Sequence, residues 1–242
     1  MGAAIGWGAL AAASLVLGAG LSFARRWSSR QVGYVLAFGA GALISAVSFE
    51  LAQEGIEVGG VGITGAGLGV GALAYYLLDG LIARRQATGR GRRGRSQGSG
   101  SGTALALGAF LDGIPEQLVL GINLAAGAGV GVSLLVAIFV SNLPESLGSA
   151  SDMAAAGRPR EAILRLWLLV AAICTLATVV GYLAADAVGG NGKAAIDGFA
   201  AGALLVMLID SMIPDARADG GRAAGLVTVL GFALAAALSS LS

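Results

Sequence analysis

Eight apolar runs, each near the ~20 residues that carry an α-helix across a bilayer, constrain this chain more than any other feature. They cover approximately 3–24, 31–53, 61–83, 103–125, 130–153, 162–185, 194–214 and 223–240. A mean hydropathy of +0.83, with 56% hydrophobic and 12% charged residues, excludes an ordinary water-soluble domain. Forty-one glycines would weaken helices in water. In lipid, small residues let helix backbones approach closely, so the same glycines indicate tight packing. The expected fold class is all-α: a polytopic membrane protein with eight transmembrane helices. The first run has no basic residues ahead of it and arginines behind it, so it reads as a retained helix rather than a signal peptide.

The loops set the orientation. Arg25, Arg26 and Arg30 follow the first run, and Arg84, Arg85, Arg90, Arg92, Arg93 and Arg95 follow the third. Arg158, Arg160 and Arg165 follow the fifth run or open the sixth, and Arg217 and Arg222 follow the seventh. With eight spans every arginine falls on one side, leaving Lys193 alone on the other. The excess of basic residues in cytoplasmic loops then predicts both termini outside and the arginine loops inside, in a bacterial inner membrane. Residues 1–83 hold helices one to three, 84–102 a basic linker, 103–154 a central pair and 155–242 the last three. The linker is Gly, Ser and Arg with almost nothing apolar, and is expected to be flexible. It reads either as a solvated topogenic loop or as a binder of anionic lipid or a regulator.

A weaker feature is an internal repeat. FGAGALISAVSFELAQE, from Phe38 to Glu54, resembles FAAGALLVMLIDSMIPD, from Phe199 to Asp215. On the topology above these stretches run in opposite directions. The chain then reads as three helices, a central pair and three inverted helices, a 3+2+3 inverted repeat of the kind found in secondary transporters.

The central pair carries the chemistry. LDGIPEQ, from Leu111 to Gln117, and VSNLPES, from Val140 to Ser146, each set a proline beside a glutamate within an apolar run, 29 residues apart. Pro115 and Pro144 lack an N–H, so the carbonyls of Leu111 and Val140 lose their helical partners. In lipid such a carbonyl must be satisfied by protein, water or an ion. An intramembrane glutamate is costly and marks ion or proton paths. Asp112 and Glu116 share one helical face, as do Ser141 and Glu145, with Asn142 one position round. If the two faces meet, Asp112, Glu116 and Glu145 supply three carboxylates, and Ser141 and Asn142 add neutral oxygens. Such carboxylates repel one another unless a cation or proton resides among them. A divalent cation resolves this; a proton-sharing cluster that fixes helix register is the alternative.

The chain has no histidine and one cysteine, Cys174, so the site uses hard oxygen ligands of the kind Mg, Ca or Mn prefer. Gln117 and Ser146 are candidates to hydrogen-bond the glutamates. Glu50 and Asp210 are candidate pathway residues, though an acid solvated at the membrane surface would look the same.

Taken together, the eight runs, the basic loop after the third and the paired proline–glutamate motifs resemble the ZIP (Zrt-/Irt-like protein) family of divalent metal transporters. That family carries HNxPEG on the fourth helix and a related PEG motif on the fifth, which stand here as DGIPEQ (Asp112 to Gln117) and SNLPES (Ser141 to Ser146). The resemblance implies Glu116 and Glu145 as central ligands, Asp112 in the place of the histidine and Gly113 in that of the asparagine. Ser141 and Asn142 fill the matching positions of the fifth helix. Thr178 stands where many bacterial members carry a sixth-helix glutamate, which points to one metal site rather than two.

The resemblance also implies zinc or a related ion as cargo, a homodimer, and movement of the fourth and fifth helices against a scaffold. Without imidazole, discrimination against Mn, Fe, Co or Cd should be weaker. The expected function is divalent cation transport into the cytoplasm, with no resident cofactor and no nucleic-acid partner. The rival is a non-transporting relative acting as a metal sensor or structural partner. No nucleophile–base pair or cofactor motif suggests an enzyme.

Overall fold

The computed structural model describes residues 1–24, 27–90, 101–125 and 132–240, with the side chains of 82–83, 85–90, 101–112, 132–133, 186 and 188 outside that description. Among the described residues every element is helical. In chain order these are α1 (Gly2–Ala24), α2 (Ser29–Ala46), α3 (Glu54–Arg90), α4 (Ser101–Ala125), α5 (Val132–Ala155), α6 (Arg160–Met207), α7 (Ile213–Gly220) and α8 (Ala224–Ser239). Five described helical stretches are long and apolar enough to cross a membrane. Their outward faces are oily, with Leu226 77% and Val61 71% exposed, as lipid contact requires. The protein is membrane-embedded and all-helical.

Two of the five stretches, Ser29–Leu81 and Gly189–Ser239, hold 53 and 51 residues. At 1.5 Å per residue a straight helix of that length would be about 75–80 Å long, far beyond the ~30 Å hydrocarbon layer. Neither is straight. Gly60 has φ 79° and ψ 165° inside α3, and Gly221 has φ 62° between α7 and α8. Gly189, with φ 62° and ψ 174°, interrupts α6 in the same way. These are conformations that a side chain disfavours, so glycine marks each reversal. The sequence reading ends one run near Gln53 and starts the next at Val61; the backbone instead stays helical to Gly59 and reverses at one residue. Helix α3 also continues to Arg90, so the first part of the basic linker is helical, while 91–100 lies outside the described residues.

Local signals explain the other ends. Ser28 caps α2 and exchanges hydrogen bonds with Gln31, a capping box. Helix α5 closes through Gly157, at φ 80°, with the N–H of Arg158 donating to the Met153 carbonyl at 3.0 Å and Pro159 following. Two π-helical turns, Val47–Gln53 and Leu208–Met212, carry α2 into α3 and α6 into α7. Each begins nine residues after a phenylalanine, Phe38 and Phe199, that opens one of the two resembling stretches.

Helices meet through glycine seams. A Cβ on Gly41 would strike the Thr228 carbonyl, and one on Gly231 the Phe38 carbonyl, which locks α2 to α8. The same reciprocal contact joins Gly71 to the Phe199 carbonyl and Gly202 to the Leu68 carbonyl between α3 and the second half of α6. It recurs as Gly121 on Thr178 and Gly181 on Leu118 between α4 and the first half of α6. Along α3 the contacts advance from Gly67–Ala195 to Gly71–Phe199, four residues on both sides, so those two helices run parallel. Two apolar cores fill the remainder. One joins α2, α5, the second half of α6 and α8; the other joins α1, α5 and the first half of α6 around Trp167.

Candidate functional site

Helices α4 and α5 pack on each other and continue unbroken through Pro115 and Pro144. The prolines therefore free a carbonyl each without unwinding the helix. For α5 the consequence is visible. The Val140 carbonyl lies against Gly39 of α2, 3.1 Å from where a Cβ on that glycine would stand. The missing side chain lets α2 come close to this carbonyl, so a neighbouring helix covers the gap in the ladder. The side chains around Leu111, the matching residue of α4, lie outside the described residues.

The polar side chains of the two motifs are deeply placed. Glu116 is 2% exposed, Ser141 1% and Asn142 2%, while Glu145 is half-buried. Burial of this depth in an apolar bundle is costly for a carboxylate and calls for compensating charge or hydrogen bonds. Ser141 donates to the Ile138 carbonyl at 3.1 Å, leaving its lone pairs available. The Asn142 amide nitrogen has no hydrogen-bond partner among the described residues. Asp112 lies on α4, but its side chain is outside the described residues, so the expected three-carboxylate grouping rests on a residue that is not described. Among the described residues no cluster of three or more acidic, imidazole or thiol groups forms.

The neighbours differ in part from the sequence reading. Thr178, on the first half of α6, donates its hydroxyl hydrogen to Oε1 of Gln117, beside Glu116. The position that the family resemblance marks on the sixth helix thus reaches the fourth-helix motif, with a neutral hydroxyl. The single hydroxyl hydrogen of Ser146 has backbone carbonyls within reach, those of Asn142 (2.9 Å) and Leu143 (3.0 Å) on its own helix and that of Ser14 on α1 at 3.4 Å. Gly113 faces Cys174, whose sulfur would stand 2.8 Å from a Cβ there. The thiol is fully buried in the core around Trp167.

Of the two pathway candidates, Glu50 lies in the first π turn and accepts a hydrogen bond from the Ser239 hydroxyl at 2.6 Å, at the end of α8. Asp210 lies in the second π turn and is exposed. A further polar group escaped the sequence reading. Lys193 pairs with Glu54 and lies 3.6 Å from Asp197, which is fully buried. Its signal was the i,i+4 spacing of Lys193 and Asp197; the partner across the bundle, Glu54, is 139 residues away.

No family model matches the chain, and no curated protein matches it.

Proposed function

We propose that this protein is a ZIP-type transporter that carries divalent metal cations, zinc or a related ion, across the membrane into the cytoplasm. Glu116, Glu145, Ser141 and Asn142, with Asp112, bind the ion as it sheds water. The observation that carries the reading is the deep burial of Glu116, Ser141 and Asn142 on two packed helices, each motif beside a proline that frees a backbone carbonyl. Hard oxygen donors of this kind suit a divalent ion. A carboxylate with no such role would be a poor choice at that depth.

The finer architecture we read as eight spans in a 3+2+3 inverted repeat with both termini outside. Three features support it. Reversals at Gly60 and Gly189, together with the Gly220–Gly221 turn, divide stretches too long for single spans. The π turns begin at matching places in the two resembling stretches. Helix α3 and the second half of α6 run parallel, as the third and seventh of alternating spans must. Alternating access of the α4–α5 pair against the other helices, in a homodimer, completes the proposal.

Uptake of Zn, Mn, Fe, Co, Cd and Mg into proteoliposomes tests it. Glu116→Ala or Glu145→Ala should reduce uptake to background while the protein still inserts and purifies. Undiminished uptake in both variants would refute the assignment. Folded wild-type protein that moves none of these ions would favour the sensor or structural reading, in which the same site binds without release.

A further inference from the structure

Asn123, in the last turn of α4, is a buried polar side chain that the two motifs do not use. It is 7% exposed, and its amide oxygen has no hydrogen-bond partner among the described residues. A buried acceptor left this way is costly, whereas an apolar side chain of the same shape would carry no such cost.

Its place on the helix ties it to the site. Asn123 follows Glu116 by seven residues, so the two side chains leave α4 within about 20° of each other. At ~1.5 Å per residue they stand about 10 Å apart along the axis. The seam with α6 runs down another side: Gly113, Gln117 and Gly121, spaced by four, meet Cys174 and Thr178 of that helix. At about 100° per residue that stripe lies about 110° round from Glu116 and Asn123. Val119 and Leu120 occupy the turns between the two, buried in one apolar core with Leu134 and Ile138 of α5. On this face of α4, among the described residues, Asn123 thus carries the next side-chain oxygen beyond Glu116. In the eight-span reading the last turn of α4 lies at the outer end, where cargo arrives. A neutral amide oxygen suits a station that an ion must leave again: it replaces one water and, without a full charge, holds the cation weakly.

We propose that Asn123 is the entry station of the ion path, its amide oxygen coordinating the cation that arrives from outside before Glu116 takes it up. The role rests on the transport reading above.

Two measurements on the full-length protein test it. The first does not depend on transport. In oriented vesicles an impermeant methanethiosulfonate added outside should modify Asn123→Cys at least about tenfold faster than Leu120→Cys, one turn deeper, because a thiol reacts only where water reaches it. Native Cys174 is buried and adds little background. The second is the kinetics of zinc and manganese uptake into proteoliposomes. Asn123→Leu should raise the KM about tenfold with kcat little changed, the mark of lost ion binding. Asn123→Asp keeps an oxygen in place and should hold the KM at or below the wild-type value. Asn123→Ala replaces Asn123→Leu should the latter fail to insert. If Asn123→Cys reacts no faster than Leu120→Cys, or if the variant without the oxygen matches the wild type in both constants, the entry station is overturned while the transporter assignment stands. Wild-type protein that moves neither ion refutes the transport reading and the entry station with it.

Discussion

Thr178 shows how one hydroxyl can define the surroundings of an acid. Its bond to Gln117 fixes the side chain next to Glu116, and both residues are fully buried. Thr178→Val keeps the shape and leaves the Gln117 carbonyl oxygen unsatisfied, at a cost of about 1–3 kcal/mol. The expected result is a lower thermal midpoint in detergent, with metal uptake retained at reduced rate; an unchanged midpoint would show that the bond is not formed. Thr178→Glu would test the site's capacity from the other direction, since it puts a carboxylate where the family resemblance expects one. If the position borders the ion, this variant should bind a second metal equivalent by equilibrium dialysis, and the stoichiometry should stay unchanged if it does not. The acids and prolines of the two motifs were legible in the sequence because a charge within an apolar run is conspicuous. The Gln117–Thr178 bond was not, since it joins residues 61 positions apart and depends on how α4 meets α6.

At the scale of elements, the glycine seams make a prediction that distinguishes one glycine from another. A Cβ on Gly41 or Gly231 overlaps a backbone carbonyl, whereas a Cβ on Gly65 or Gly69 meets nothing within 4 Å. Gly231→Ala should destabilise the α2–α8 seam by about 1–3 kcal/mol, the usual cost of overpacking. Gly65→Ala should be neutral or slightly stabilising, because alanine is the better helix former. Thermal unfolding of the two variants in one detergent would reveal equal effects if the seams do not carry packing. Composition pointed to close packing but could not assign it, because every glycine looks alike until its neighbour is known. The reversals at Gly60 and Gly189 were hidden for the same reason: a Gly-Gly pair in a chain this rich in glycine carries no distinct signal. The π turns have no local sequence signature, although each begins nine residues after the phenylalanine that opens its stretch.

For the whole molecule the arginines and the single thiol together permit a direct determination of topology. Cys174 is fully buried, so the native protein should react little with maleimides. Cysteines introduced at the exposed positions Arg158 and Asn191 then report without background. In oriented membranes, Arg158→Cys should be labelled only from the cytoplasmic face and Asn191→Cys only from the opposite face by an impermeant reagent. Labelling of both from one side would refute the eight-span reading. That the chain is helical and apolar enough to cross a membrane was readable because hydropathy is summed over about 20 residues and tolerates local error. Which helices touch was not, because in lipid every apolar face is equally soluble and the choice of neighbour falls to shape.

Lys193 is the one lysine in 242 residues, and its ammonium group is held by Glu54. The bundle therefore offers amine-directed reagents no readily accessible side-chain target while that pair is closed. Acylation at this position becomes a clock for the opening of one end of the molecule: its rate, read by mass spectrometry without any engineered label, counts how often the pair parts.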